Sequence, residues 1–196
     1  MDEQYFNPSP QSAHDARVFE HTWAGRALRF ETDAGVFSKR KLDSGTLLLL
    51  ASLPKAFAGR ALDLGCGWGA MGICMLAMWP GANVCMTDIN ARAVALARAN
   101  LRANGLDAEV WQGDGLSQAT GCFDLIATNP PIRAGKAVVY RLFEESLARL
   151  APGGALYAVM RRQQGADSAA RWLGERCGRV EIAGRGGGYR VFRARG

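Results

Sequence analysis

Four short segments of the chain carry residue types that do chemistry together. Asp63-Leu-Gly-Cys-Gly-Trp-Gly69 follows a short apolar run and opens a helical one, a place where glycines let backbone N–H groups and a helix N-terminus approach a ligand. Within it Gly67-Trp-Gly69-Ala-Met-Gly72 satisfies G-x-G-x-x-G, and Asp88 closes the next β-like run about 20 residues on, as a dinucleotide fingerprint requires. Two neighbours oppose that reading. Asp63 stands directly before the glycines, where a pyrophosphate would meet like charge and a cationic ligand is favoured instead. Asn129-Pro130-Pro131 ends the run Phe123–Thr128, at the position that faces the reacting end of a bound ligand.

The Asn-Pro-Pro element has its own chemistry. An exocyclic amine or amide nitrogen is a poor nucleophile because its lone pair is delocalised. A site that activates it must accept its two N–H hydrogens where they favour a pyramidal nitrogen. The Asn129 side-chain oxygen and the Pro130 carbonyl supply two such acceptors. Pro130 and Pro131 hold φ near about −65° and stiffen the loop that positions them. No metal or strong base is needed, because an alkylated amine is acidic and loses its proton late. Taken singly, each of these residues has a plainer reading: an aspartate as a helix N-cap or loop acid, Asn-Pro as a strand-to-loop turn.

Periodicity shows what must position them. From residue 60 short β-like runs alternate with helical ones: Arg60–Leu64, Ala70–Trp79, Asn83–Thr87, Ala91–Asn104, Ala108–Trp111, Phe123–Thr128, Lys136–Leu150 and Ala155–Met160, with Pro152-Gly153-Gly154 as the last turn. Asn90 and Gly105 punctuate the Ala-rich helix as N-cap and stop. A helix from about Gln164 to Cys177 precedes two runs, Arg179–Ala183 and Tyr189–Arg193, that flank a glycine-rich turn as a closing hairpin. Such alternation builds a doubly wound, mostly parallel α/β sheet, with the ligand at the carboxyl ends of its strands. Residues 1–59 differ: a polar start, a short hairpin around Ala27–Val36, then a helix opened by Asp43 or Ser44. They read as an extension or lid on the catalytic unit of residues 60–196.

The 196 residues suit one folded unit, and 48% hydrophobic with 21% charged residues excludes a disordered or fibrous chain. The start, Met1-Asp2-Glu3-Gln4, has no basic-then-apolar signal, and Thr46–Leu53 is far too short to span a bilayer, so no membrane partner is expected. Five cysteines without a C-x-x-C pair read as reduced thiols of a cytoplasmic protein. His14 and His21 have no metal-ligand spacing, and no metal site is expected. Twenty-four basic residues against 18 acidic give a net charge of +6, and residues 161–196 hold nine arginines against three acids. That segment reads equally as a nucleic-acid face or as a solvated surface.

Asp63-Leu-Gly-Cys-Gly-Trp-Gly69, Asp88, Asp114 and Asn129-Pro-Pro131, each at a strand end in order, resemble the signature of class I S-adenosylmethionine-dependent methyltransferases. The resemblance implies a seven-stranded Rossmann-like sheet. It implies that Asp63, Gly65, Cys66 and Gly67 hold the methionine part of S-adenosyl-L-methionine, that Asp88 takes the ribose hydroxyls with Ile89 on the adenine, and that Asp114 and Gly115 meet the adenine amine. Asn-Pro-Pro occurs in enzymes acting on adenine, guanine or protein glutamine, so it names an acceptor type only. Asn129-Pro-Pro-Ile-Arg-Ala-Gly-Lys136 and Asp33-Ala-Gly-Val-Phe-Ser-Lys39, with Leu42-Asp43-Ser-Gly-Thr46, are similar to the RsmC-like family of ribosomal RNA guanine-N2 methyltransferases, in its short single-domain form. That likeness implies ribosomal RNA or the small ribosomal subunit as partner. It places Phe37 and Ser38 over cofactor and base, beside Ile132, with Lys39, Arg133 and Lys136 on RNA phosphates. One departure stands out: Ile132 replaces the ring many relatives place there, so stacking falls to Phe37 or Trp68. A glutamine or DNA adenine methyltransferase, and a non-catalytic RNA-binding assembly factor of the same fold, are the alternatives.

Overall fold

The computed structural model describes residues 15–36 and 41–196. An antiparallel hairpin, β1 (Arg17–Trp23) and β2 (Arg26–Thr32), is followed by α1 (Ser44–Ser52). Then β3 (Arg60–Leu64), α2 (Ala70–Met78), β4 (Asn83–Asp88), α3 (Ala91–Ala103), β5 (Glu109–Gln112) and β6 (Phe123–Thr128) alternate. The chain ends with α4 (Lys136–Ala148), β7 (Leu150–Arg161), α5 (Ala166–Gly174), β8 (Arg179–Gly186) and β9 (Tyr189–Arg195). The seven-stranded sheet has the order β5-β4-β3-β6-β7-β9-β8. Its first five strands are parallel, and β9 pairs antiparallel with β7 and β8. The strand order reverses between β3 and β6, and a doubly wound sheet opens its ligand crevice at such a reversal.

The central strands are apolar on both sides because helices cover both. Ala61, Leu125, Ala127, Tyr157 and Val159 face α1, α2 and α3, while Leu62, Ile126, Leu156 and Ala158 face α4 and α5. Residues before β3 belong to the first of these cores: Leu28, Phe30, Leu49 and Leu50 are fully buried in it. Gly69 lies where α2 meets α3, with φ +87°, and a Cβ there would stand 3.1 Å from that of Ala97. No helix among the described residues is long and apolar enough to cross a membrane.

The N-terminal hairpin differs from the expected one. Its turn is Ala24-Gly25, both at positive φ, and Asp33-Ala34-Gly35 is the exit from β2. The hairpin joins the domain without entering the large sheet. Asn100 on α3 accepts from the Glu31 N–H at 2.7 Å and donates to the Glu31 carbonyl at 2.8 Å. Asn104, one turn on, repeats the pair with Arg29 at 2.8 and 2.7 Å. Two carboxamides at i, i+4 therefore substitute for a neighbouring strand. Asn100 is also tied to the Trp68 carbonyl at 2.8 Å. Replacing Asn100 by Ala leaves the buried Trp68 carbonyl and the part-buried Glu31 groups unpaired, and chemical denaturation should show a loss of about 1–2 kcal/mol.

Candidate active site

A cavity of about 750 Å³ opens at the carboxyl ends of β3, β4 and β6 and is lined by Asp63, Asp88, Asp114 and Asn129 together. Gly65, Cys66, Gly67, Ile89, Gly115, Pro130, Pro131, Ile132 and Arg133 also line it. Phe37, Ser38 and Lys39 lie outside the described residues. Lys136 is not among the lining residues, and its ammonium sits 5.0 Å from the Tyr140 ring centre, on the α4 surface. Trp68 is also on the cavity lining, 3% exposed, with its ring edge-on to Phe19 and Phe30 at 5.6 and 5.1 Å.

The glycine loop works differently from its sequence reading. The N–H groups of Gly65 and Cys66 both donate to the Thr87 carbonyl at 2.9 Å, and the Gly67 N–H donates to Asp88 Oδ2 at 2.8 Å. These amides brace the loop against β4 and leave the cavity wall to bare Cα atoms. Positive φ at Gly65 and Gly67, +76° and +55°, makes that path accessible. The Cys66 thiol donates to the Gly67 carbonyl at 3.4 Å, and burial, with Asp88 and Asp63 nearby, pushes its pKa well up, so it is no thiolate nucleophile.

The three aspartates are held in three ways. Asp63 is fully buried; its Oδ2 accepts from the Gly72 N–H at 2.7 Å, and its Oδ1 has no partner. Burial, together with the Asp88 charge, outweighs that hydrogen bond and pushes its pKa up to about 7. Asp88 accepts from Gly67 through Oδ2 and from the Asn90 N–H through Oδ1 at 2.9 Å, and burial likewise raises its pKa. The Ile89 N–H adds to these donors, and the carboxylate keeps lone-pair capacity on the cavity side. Asp114 is more exposed, and Arg141 on α4 holds its Oδ1 at 2.6 Å. Arg141 also pairs with Glu145, whose Oε2 accepts from the Leu116 N–H at 3.0 Å.

Asn129 leaves β6 with its amide fixed. Nδ2 donates to Asp43 Oδ2 at 3.0 Å and to Thr46 Oγ1 at 3.1 Å. Since an ionised carboxylate only accepts, the amide has one orientation here, and Oδ1 is left for a ligand. The Pro130 carbonyl accepts from the Ile132 N–H at 2.9 Å around Pro131, whose φ of −75° and ψ of 77° form an inverse γ-turn. Proline supplies that φ without cost. One lone pair of the expected acceptor is thus engaged and the second remains.

Asp43, Thr46, Arg141, Arg161 and Tyr189 line the cavity without having been expected there as site residues. Asp43 carried a signal as the N-cap of α1 and within the family-like stretch Leu42-Asp43-Ser-Gly-Thr46, but not as a partner of Asn129; it does cap the helix, accepting from the Thr46 N–H at 3.0 Å. The C-terminal arginines are less free than their linear sum suggests. Arg179, Arg193 and Arg195 converge on Glu181, Arg190 pairs with Asp167, and Arg176 pairs with Glu175 and stacks on Trp172. Among the described residues no group of three His, Cys, Asp or Glu is placed to hold a metal.

Comparison with known proteins follows the same lines. The family model of the methyltransferase small domain matches residues 27–193. An uncharacterized Bacillus subtilis protein, YbxB, is 34% identical over 199 residues, covering 100% of this chain and 99% of that one. Ribosomal RNA small subunit methyltransferase C of Pseudomonas entomophila is 38% identical over 91% of this chain and 54% of its own length. The solved structure of the T. thermophilus 16S rRNA N2 G1207 methyltransferase RsmC, in complex with AdoMet and guanosine, superposes with a TM-score of 0.83 at 30% identity. It covers 95% of this chain and 52% of that one. The chain spans about half the length of these methyltransferase C relatives. With the family model matching almost end to end, the chain belongs to the methyltransferase small domain family, in its RsmC-like class I form.

Proposed function

We propose that the chain transfers a methyl group from S-adenosylmethionine to the N2 amine of a guanine in small-subunit ribosomal RNA. The observation that carries this reading is Asn129: its Nδ2 is tied to Asp43 and Thr46, so its Oδ1 is left as an acceptor in a cavity lined by the three strand-end aspartates. The T. thermophilus relative, with AdoMet and guanosine together, supports the choice of donor and base.

The residues present fit the donor. The buried, unpartnered Asp63 Oδ1 on the cavity lining suits an ammonium, which would supply both a donor and an opposite charge. Asp88 accepts the two ribose hydroxyls through its remaining lone pairs, Ile89 packs on the adenine, and Asp114, steadied by Arg141 beside Gly115, accepts from the adenine amine. When bound, S-adenosylmethionine supplies an electrophilic methyl on a sulfonium.

Asn129 Oδ1 and the Pro130 carbonyl accept the two N2 hydrogens of guanine. The nitrogen lone pair is thereby directed out of the ring plane, and the partial positive charge that grows on nitrogen is met by two oriented dipoles. After transfer the excess proton leaves to water. Ile132 offers the base an aliphatic surface, and Arg133 and Arg161 at the cavity take RNA phosphates. α1, ahead of the catalytic core, supplies the acceptor side of the site through its cap Asp43 and Thr46.

Labelled S-adenosylmethionine offered to RNA, DNA and release-factor substrates, followed by nucleoside analysis, tests the proposal. N2-methylguanosine in small-subunit RNA is the expected product, and label confined to protein or DNA refutes it.

A further inference from the structure

Asn129 is oriented by a chain of groups that reaches across the fold. Arg161 Nε, at the end of β7, donates to the Tyr189 hydroxyl at 2.8 Å, and the guanidinium lies 4.7 Å from the centre of the Tyr189 ring. Tyr189, at the start of β9, donates to Asp43 Oδ1 at 3.3 Å. Asp43 Oδ2 then takes the Asn129 amide, 86 residues away in sequence.

Every proton in this relay has a fixed direction. A guanidinium can only donate, so the tyrosine oxygen accepts from Arg161 and turns its own hydrogen to Asp43. An ionised carboxylate can only accept, so Asn129 turns its NH2 to Asp43 and its oxygen to the cavity. An amide turned over would place N–H groups against the N–H groups of the acceptor amine. The close meeting of these groups explains Gly45, since a Cβ there would stand 2.8 Å from Tyr189 Cε1 and 2.9 Å from Asp43 Oδ2.

We propose that Asp43, held by Tyr189 and Arg161, is the positioning residue that fixes the Asn129 amide with its oxygen toward the acceptor nitrogen. The inference rests on the N-methyl-transfer reading for its consequence in rate, and on geometry alone for the amide orientation. It makes α1 part of the catalytic apparatus: the same carboxylate caps the helix and orients Asn129.

Asp43→Ser separates these two roles. Serine is an equally good N-cap, so α1 is retained, but its single hydroxyl is occupied by the Thr46 N–H and is too short to hold Asn129 as well. The expected result is a fall in kcat of about 100-fold, the scale of a misplaced reacting group, with cofactor Kd and Tm close to wild type. Asp43→Asn should recover most of the loss, because its carbonyl still receives the Asn129 NH2 while its own amide donates to Tyr189. Tyr189→Phe, which keeps the ring, should lose about tenfold. In an Asn129→Ala background Asp43→Ser should cost nothing further in single-turnover rate, since a residue acting only through Asn129 has nothing left to act on.

A kcat for Asp43→Ser within about twofold of wild type, or an undiminished effect in the Asn129→Ala background, overturns the inference. NMR of asparagine side chains provides a reading independent of the acceptor. The Asn129 amide hydrogens should exchange slowly in the wild type and quickly in Asp43→Ser. Unchanged exchange refutes the orientation, whereas altered exchange in an enzyme that labels no exocyclic amine refutes the proposed function and leaves the orientation standing.

Discussion

Replacing Asn129 by Ala is expected to lower the methyl-transfer rate by about 10²–10³-fold while leaving the affinity for S-adenosylmethionine within a small factor of wild type. Removing one preorganised dipole from the atom where charge develops has that magnitude, and the loss falls on kcat because ground-state and transition-state contacts differ at the nitrogen. The cofactor side is insulated, since Asp63, Asp88 and Asp114 are each held by groups other than Asn129. The truncation also leaves Asp43 with the Thr46 N–H and the Tyr189 hydroxyl as donors, so the carboxylate stays satisfied and α1 stays capped. Single-turnover transfer to RNA and calorimetric cofactor titration check the two halves. Unchanged turnover would remove Asn129 from the mechanism, and a parallel loss of cofactor binding would recast it as a binding residue.

Binding of the cofactor is expected to strengthen steeply with pH, by up to about tenfold per unit between roughly pH 5 and pH 7, and to level off above about pH 8. The cause is Asp63. Its pKa in the folded chain, about 7, lies above its ordinary 3.8, so the empty site holds a proton through this window. A cationic ligand needs the carboxylate, and below pH 7 it must first expel that proton. The stability of the ligand-free protein runs the other way. A folded pKa above the unfolded one gives stability that is fully present below about pH 4 and is lost as pH rises through about 7. At about 1.36 kcal/mol per unit the total is on the order of 4 kcal/mol. Asp63→Asn should bind weakly at all pH values without the slope, and its stability relative to wild type should improve from about pH 4 to about pH 7. Calorimetry and urea denaturation across that range report both. A flat affinity profile in the wild type would show that no cation sits against Asp63.

The parallel sheet was legible because its strands end in chemistry: Asp63 is the penultimate residue of β3, Asp88 the last of β4 and Asn129 the first after β6, and glycine punctuation follows the first of these. The strand spans from β3 to β6 agree with their periodicity to within a residue. The N-terminal hairpin was displaced because its Ala24-Gly25 turn lacks the Asn-Gly or Asp-Gly signal, whereas Asp33-Ala-Gly35 presents a turn signature at the strand's exit. Lys136, which the family likeness places on RNA phosphates, stands in the first turn of α4 with its ammonium 5.0 Å from the Tyr140 ring centre. The arginines of the last hairpin could be added along the chain, but their partner could not. Glu181 meets Arg193 through the antiparallel register, and Arg179 and Arg195 reach the same carboxylate. Asp43, Tyr189 and Arg161 escaped for the same reason, since hydrogen bonds spanning 146 and 28 residues leave no periodic trace.

The carboxamide attachment of the N-terminal hairpin sets an order of assembly. Its partners, Asn100 and Asn104, lie 69 and 75 residues away, so the hairpin's backbone is satisfied only once α3 is formed. Asn100 also holds the Trp68 carbonyl, so the side chain that seats the hairpin is at the same time an anchor of the loop carrying Gly65 and Gly67. A change at this one position is therefore felt both at the hairpin and on the donor side of the cavity.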